Sequence, residues 1–299
     1  MRDLKWNNFY DSESGILHAN WSCGFFSNCC TALWAITDLA SEGISPRSIH
    51  MTSGWEFFCD RLKQPNLDLY PILFEVPHFS GPLSLELLTR VDPHRRYALS
   101  GLEKLSPFIQ HWFTPSSEVQ ILSKLFESKY HLVSNKTIAV VYRGTDKHTE
   151  VQLSSVHNYI KLTRQLLAKY SDHRVLIQTD QLQVRDLFLS EFGERCFSFQ
   201  EMPVSAGNSA VHSLSEVELG MSKLEFSKTF LAVSLLLSKC HLLVNHTGNT
   251  GLWLCLYRGS TKNMYQFDEN AHCSDPRGRD FTRNPLKKML RSTKDLFGF

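Results

Sequence analysis

The hydrophobic pattern changes character near residue 131. Downstream, unbroken apolar runs alternate with helical spacings. Ile138 to Tyr142 is a stretch of β-branched and apolar residues with no polar break, the pattern of a strand buried on both faces. Apolar positions then recur at Val156, Tyr159, Ile160, Leu162, Leu166 and Leu167, which predicts a helix over 156–170. The same reading predicts strands at 174–179, 195–200 and 241–245. It predicts further helices at 182–192, 226–237 and 251–257, with a long connection over 205–222. Strand and helix in alternation require a parallel sheet with crossover helices, an α/β architecture of Rossmann type. Upstream the chain is irregular and rich in aromatic and proline residues. Its clearest element is a helix over 28–42, with Cys30, Leu33, Trp34, Ile36, Thr37 and Leu39 on one apolar face and Glu42-Gly43 closing it.

Polar residues collect at the ends of the predicted strands. Arg143-Gly144-Thr145-Asp146-Lys147 follows the first strand, Thr179-Asp180 the second, and Asn245-His246-Thr247-Gly248-Asn249-Thr250-Gly251 the last. Open α/β sheets bind ligands outside the carboxyl ends of their strands. An arginine there suits a phosphate, because its planar fork donates paired, charge-assisted hydrogen bonds. Gly144 permits a sharp turn or a close backbone approach. The plainer reading is a strand-end ion pair between Arg143 and Asp146. In the third stretch, glycines, Asn249 and the Thr247 and Thr250 hydroxyls precede a helix, the composition of an anion-binding nest. Near the N-terminus, Cys23-Gly24-Phe25-Phe26-Ser27-Asn28 reads as a glycine turn with Ser27 and Asn28 as candidate N-caps. Such a loop holds an anion or simply opens a helix. His148 and His246 flank the two phosphate-facing loops and are candidate donor or acceptor contacts.

Composition narrows the class. The chain has 299 residues, 42% of them hydrophobic and 21% charged, as in an ordinary globular protein with room for one large or two medium domains. A formal net charge of +2 gives no general attraction to nucleic acid or membrane. No apolar run reaches 18 residues, and the N-terminal residues lack the apolar core of a signal peptide, so a cytoplasmic location is expected. The eight cysteines form no CxxC pair, which argues against both a metal site and a disulfide framework. The C-terminal stretch is basic, through Arg277, Arg279, Arg283, Lys287, Lys288, Arg291 and Lys294. It predicts a helix, solvated or bridging domains, with contact to anionic lipid as the other reading.

Taken together, the motifs resemble the fucosyltransferase superfamily that joins α1,6-fucosyltransferases with protein O-fucosyltransferases. Tyr142-Arg143-Gly144-Thr145-Asp146-Lys147 is similar to the family's Arg-(Arg or Gly)-Thr-Asp-Lys signature, Thr179-Asp180 to its Thr-Asp pair, and Ser238 to Gly251 to its last strand and serine-rich loop. The resemblance covers about residues 130 to 260, with a looser match at Gly24 to Glu42. It implies a GT-B fold of two Rossmann-like domains with parallel sheets. These would be an acceptor-side domain over 1–131 and a nucleotide-sugar-binding domain over 132–272, with a basic helix over 273–299 crossing back to the first. It further implies metal-independent, inverting transfer of fucose from GDP-fucose to a glycan or other hydroxyl acceptor, without a cofactor. Arg143 and the Thr247 hydroxyl would face the diphosphate, with Gly144, Thr145, Asp146, Lys147, Asp180, Gly248, Asn249 and Thr250 around it. Glu150, one residue closer than in the family, would serve as base. Two positions that help read guanine in α1,6-fucosyltransferases depart: the histidine is Val141, and the acidic residue falls at Val233 or Ser234. The same fold with another sugar nucleotide, and a catalytically silent nucleotide-sugar or glycan-binding protein, are the alternatives.

Overall fold

A computed structural model describes residues 2–60, 62–77, 92–94 and 96–277. The elements run β1 (Arg2–Asp3), β2 (Phe9–Asp11), β3 (Ile16–His18), α1 (Phe25–Ser41), β4 (Ser48–His50), α2 (Tyr70–Leu73), α3 (Ser106–Trp112) and α4 (Ser117–Lys129). The alternating half follows with β5 (Thr137–Tyr142), α5 (Val156–Lys169), β6 (Arg174–Thr179), α6 (Leu182–Phe192), β7 (Cys196–Phe197), α7 (Glu216–Leu219), α8 (Lys223–Lys239), β8 (Leu242–His246), α9 (Asn249–Arg258), β9 (Met264–Phe267) and β10 (Cys273–Ser274).

The larger sheet has the order β10-β9-β8-β5-β6-β7. All its pairings are parallel except β10 on β9. From β5 the chain winds outward through β6 to β7, and α8 then carries it back to β8 on the other side of β5. The strand order therefore reverses between β5 and β8. At such a switch point the crossovers leave in opposite directions and open a crevice at the strands' carboxyl ends. Burial follows the alternation of the strands. Ala139, Val141, Leu176 and Leu243 face a cluster built from α1, α8 and α9, whereas Ile138, Val140, Val175, Ile177, Leu242 and Val244 face α5 and α6. The first cluster runs without interruption from Tyr10 to Met264, across residue 131.

The structure departs from the sequence reading in instructive places. The first sheet, β1-β2-β3-β4, is not a parallel Rossmann sheet. β1, β2 and β3 form an antiparallel meander, and only β3 and β4, linked through α1, are parallel. Helix α1 starts at Phe25 with Gly24 as an N-cap lacking any side-chain hydrogen bond, so Ser27 and Asn28 lie inside its first turn instead of capping it. Burial decides this start: Phe25 packs edge-on against Trp55, and Phe26 stacks on Trp253, 5.4 Å between centroids. Strands β9 and β10 carry no strong sequence signal. Residues 273–274 form β10, where a basic helix was expected, and the rest of that expectation, from 278 onward, falls outside the described residues. Among the described residues no helix is long and apolar enough to cross a membrane.

Candidate active site

Outside the carboxyl ends of β5 and β6, facing the start of α9, lies a cleft of about 380 Å³. Its polar end is built by the residues after β5. Asp180, at the end of the neighbouring strand β6, accepts hydrogen bonds from the backbone N–H of Gly144 (2.9 Å) and Thr145 (3.4 Å) and from the Thr145 hydroxyl (2.7 Å). One partly buried carboxylate thus holds the loop that presents Arg143. A Cβ on Gly144 would lie 2.2 Å from the Gln181 side-chain oxygen and 2.7 Å from the Tyr142 ring, so both side chains would have to shift to admit one. Arg143 donates through Nη2 to both oxygens of Asp146, at 2.8 and 3.1 Å, with Asp180 4.0 Å from its Nε. The guanidinium is thereby oriented while a third of its side chain stays open to the cleft. The strand-end ion pair and the ligand-facing arginine are one arrangement.

Lys147 and Glu150 complete this wall. Lys147 is almost wholly buried and donates to Glu150, which is about half exposed. Burial lowers the Lys147 pKa, opposed by the hydrogen bond and charge of Glu150. Burial pushes the Asp146 carboxyl up, but the charge of Arg143, then that of His212, outweigh it and hold the group below its ordinary value. Opposite, Asn249 and Thr250 open α9, whose first turn has no acidic residue and no side-chain cap. A helix N-terminus in that state favours an anion, through free N–H groups and the macrodipole. Gly248 joins the two walls: it has φ of +130°, and a Cβ on it would lie 2.8 Å from Lys147 Nζ. Gly248→Ala is therefore expected to displace the ammonium and weaken diphosphate binding by about tenfold, measurable by titration calorimetry with pyrophosphate.

The predicted site residues divide. Arg143, Thr145, Asp146, Lys147, Glu150, Asp180, Asn249, Thr250, Gly24 and Ser27 all line the cleft. Thr247 does not: it is 2% exposed, and its hydroxyl donates to the Pro93 carbonyl at 2.8 Å. Thr250 is the hydroxyl residue that reaches the cleft from this loop, because helix formation at Asn249 turns Thr247 inward. Asn28 is buried in α1 with no hydrogen-bond partner on either side-chain atom and is not part of the cleft lining. His148 is exposed outside the cleft lining. His246 lies behind the lining, in a small adjoining space with Arg143 and Lys147.

Two histidines of the cleft wall were missed from sequence. His212 comes from the long connection after β7 and is stacked against Phe58. His94 lies near Lys147, with Nδ1 buried and without a partner. Neither belongs to a motif or a periodic segment, so only tertiary folding reveals them. Burial lowers the pKa of both, as it does for His18, His111, His241 and His246. Below the unfolded value of about 6.5 the unfolded chain binds more protons than the folded one, so these groups favour unfolding as pH falls. Their effect is absent above that pH, whereas the paired carboxylates lose stability only at lower pH. Urea unfolding is expected to show a clear drop in midpoint between pH 6.5 and 5.5 and little change between 7.5 and 6.5.

No known protein-family profile matches the chain, and no curated protein matches it in sequence. Solved structures do match. NodZ α1,6-fucosyltransferase soaked with GDP-fucose aligns with a TM-score of 0.54 at 16% identity, over 87% of this chain and 97% of that one. NodZ from Bradyrhizobium aligns at 0.53 with 15% identity, over 87% and 97%. NodZ co-crystallized with GDP aligns at 0.51 with 15% identity, over 87% and 96%. Such identities carry the fold, and the chain shares the GT-B-like fold of these fucosyltransferase structures nearly end to end.

Proposed function

We propose that the protein is a glycosyltransferase that moves fucose from GDP-fucose to a hydroxyl acceptor, with inversion and without metal. The observation that carries this reading is the joining of Arg143, Lys147 and the α9 N-terminus around one cleft at the carboxyl end of β5. The shared fold with fucosyltransferase structures holding GDP-fucose and GDP supports it.

The chemistry follows from charge. Breaking the bond between the sugar C1 and the diphosphate oxygen leaves negative charge on the β-phosphate. Donors already aimed at that charge stabilise the transition state without reorganising. Arg143 is held by Asp146, and the α9 N–H groups are fixed by the helix, so both meet this condition. Asp146 and Asp180 accept from Arg143 and from the Gly144–Thr145 backbone, so the donors left for a leaving diphosphate are the remaining N–H groups of Arg143, Lys147 and the α9 N-terminus. The acceptor oxygen attacks C1 from the opposite face, and Glu150 takes its proton. Lys147 hydrogen-bonds Glu150 and lies against Gly248, so it links the base to the phosphate side of the cleft. All eight cysteines are free, and seven are buried, which suits a reducing, cytoplasmic setting.

The test is GDP formation from GDP-fucose with EDTA present, against a panel of glycan and simple hydroxyl acceptors. GDP release that rises with an acceptor and is lost in Glu150→Gln supports transfer. Tight GDP-fucose binding with no release under any acceptor would identify a silent nucleotide-sugar-binding protein, and dependence on added divalent cation would overturn the metal-free step.

A further inference from the structure

A segment of the first half is fastened to the start of α9. The Pro93 carbonyl accepts from the Gly248 N–H at 2.7 Å and from the Thr247 hydroxyl at 2.8 Å. Tyr97, 1% exposed, brings its hydroxyl to the same glycine: it accepts from the Gly248 N–H at 2.8 Å and lies 2.7 Å from the Gly248 carbonyl. Tyr97 is itself held, its N–H donating to the Gln266 side chain at 3.0 Å, and Arg96 pairs with Asp268 at 3.3 Å. Gly248 in turn abuts Lys147, since a Cβ on it would lie 2.8 Å from Nζ. The segment is thereby fixed beside the ammonium and the helix terminus of the cleft's polar end.

This segment carries His94, whose backbone N–H donates to Asp92 at 2.8 Å and whose ring lines the cleft. Its Nδ1 is buried without a partner. Buried polar atoms are as a rule completed by protein, water or ligand. Lys147, Glu150, Asp92 and Glu269 all act on the ring through their charges. Burial and then the Lys147 ammonium lower its pKa, and the three carboxylates offset them only in part. The ordinary value is about 6.5, so the free protein holds His94 neutral at pH 7.5. A diphosphate lodged between Lys147 and α9 reverses this balance, because it offsets the ammonium and adds negative charge of its own. A protonated imidazole also offers two N–H donors where the neutral ring offers one. The other imidazoles near the cations are placed differently. His246 lies behind the lining with Nδ1 3.0 Å from the Thr247 carbonyl. His212 packs against Phe57 and Phe58, where it feels Asp146 as well as Arg143.

We propose that His94 is a further donor-binding residue: its ring takes a proton from solvent as the diphosphate enters and donates a charge-assisted hydrogen bond to a phosphate oxygen. The role rests on the diphosphate reading of the cleft. It ties donor affinity to pH. Binding is strongest where the imidazole is protonated in the complex and weakens as pH rises through the value His94 has there.

The experiment is titration calorimetry of the full chain with GDP at pH 7.5 in EDTA, repeated in PIPES, HEPES and Tris, whose ionisation enthalpies differ. The dependence of the heat on buffer counts the protons taken up. Expected is uptake of about half a proton per GDP, and affinity that falls about fourfold between pH 7.0 and 8.5. His94→Gln keeps a donor but cannot be protonated, so it is expected to bind about fivefold more weakly at pH 7.0, with no uptake and a flat pH profile. No uptake by the wild type overturns the role. Uptake that survives in His94→Gln also overturns it, even if affinity falls, since the variant would then have lost only a structural contact. Absence of binding by both GDP and pyrophosphate overturns the diphosphate reading, and this role with it. If His94→Gln fails to fold, as judged by circular dichroism, carbethoxylation of the wild type mapped by mass spectrometry decides. GDP is expected to slow modification of His94 by at least about tenfold, and an unchanged rate overturns the role.

Discussion

Arg143→Ala is expected to lower kcat/KM for glycosyl transfer by about 10³-fold, the upper range for removing one preorganised donor from a developing oxyanion. The side chain is the fixed cation of the cleft: Nη2 is pinned by both Asp146 oxygens, and Nε lies 4.0 Å from Asp180. Its removal costs more than one hydrogen bond, because Asp146 is then left partly buried without its counter-charge, facing the same diphosphate. Arg143→Lys is expected to recover about a tenth of the lost activity at most, since an ammonium cannot bridge Asp146 and a phosphate with one planar fork. Steady-state kinetics with GDP-fucose, set beside calorimetric affinity for GDP, separates the two contributions. Loss mainly in kcat marks transition-state stabilisation, and loss mainly in KM marks uniform binding. Unchanged kinetics in Arg143→Ala would move the leaving-group site away from β5.

Trp253→Ala is expected to destabilise the fold by about 3–5 kcal/mol, as for large aromatic truncations in a packed core. Trp253 is fully buried in α9. It stacks on Phe26 of α1, meets Phe113 edge-on at 4.9 Å, and donates from Nε1 to Cys30 Sγ at 3.1 Å. The side chain thus ties the N-terminal half to the helix whose first turn faces the diphosphate. The cavity left behind would loosen α9, so donor affinity should fall along with stability although residue 253 lies outside the cleft lining. Chemical denaturation measures the first effect and calorimetry with GDP the second. Trp253→Phe, keeping a ring but losing the indole N–H, should recover most of both. Full stability in Trp253→Ala would show that the two halves are joined elsewhere.

Much of this arrangement was legible along the chain. The buried run Thr137–Tyr142 announces a central parallel strand, because residues apolar on both faces have no other comfortable place. The helical spacings of α5 and α6 follow from the face each turns to the sheet, whereas α8, packed against α4 and α9, is buried on most sides. The cluster after β5 reads as ligand-bearing because charge directly after such a strand falls where α/β sheets open. In the first half, short strands of two or three residues leave too few alternating positions to read, and the antiparallel meander was not foreseen.

What the sequence by itself determined is the local chemistry of the alternating half: which segments between 137 and 258 are strand or helix, and that Arg143, Lys147, Glu150, Asn249 and Thr250 stand beside strand ends. Tertiary structure alone decided which of these groups are free. Thr247 carries the same hydroxyl as Thr250, yet its bond to Pro93 withdraws it, while the start of α9 places Thr250 at the cleft. Asn28 is as polar as Ser27 but is buried one residue further into α1. His212 and His94 reach the cleft from segments far from β5 in sequence, and Phe230, Val233 and Leu237 of α8 line it beside Val141 of that strand. The physical reason is common to all of these. Propensity and periodicity act over neighbouring residues, whereas a partner for a hydroxyl, the burial of an imidazole or the lining of a cleft depends on segments that meet only when the chain has folded.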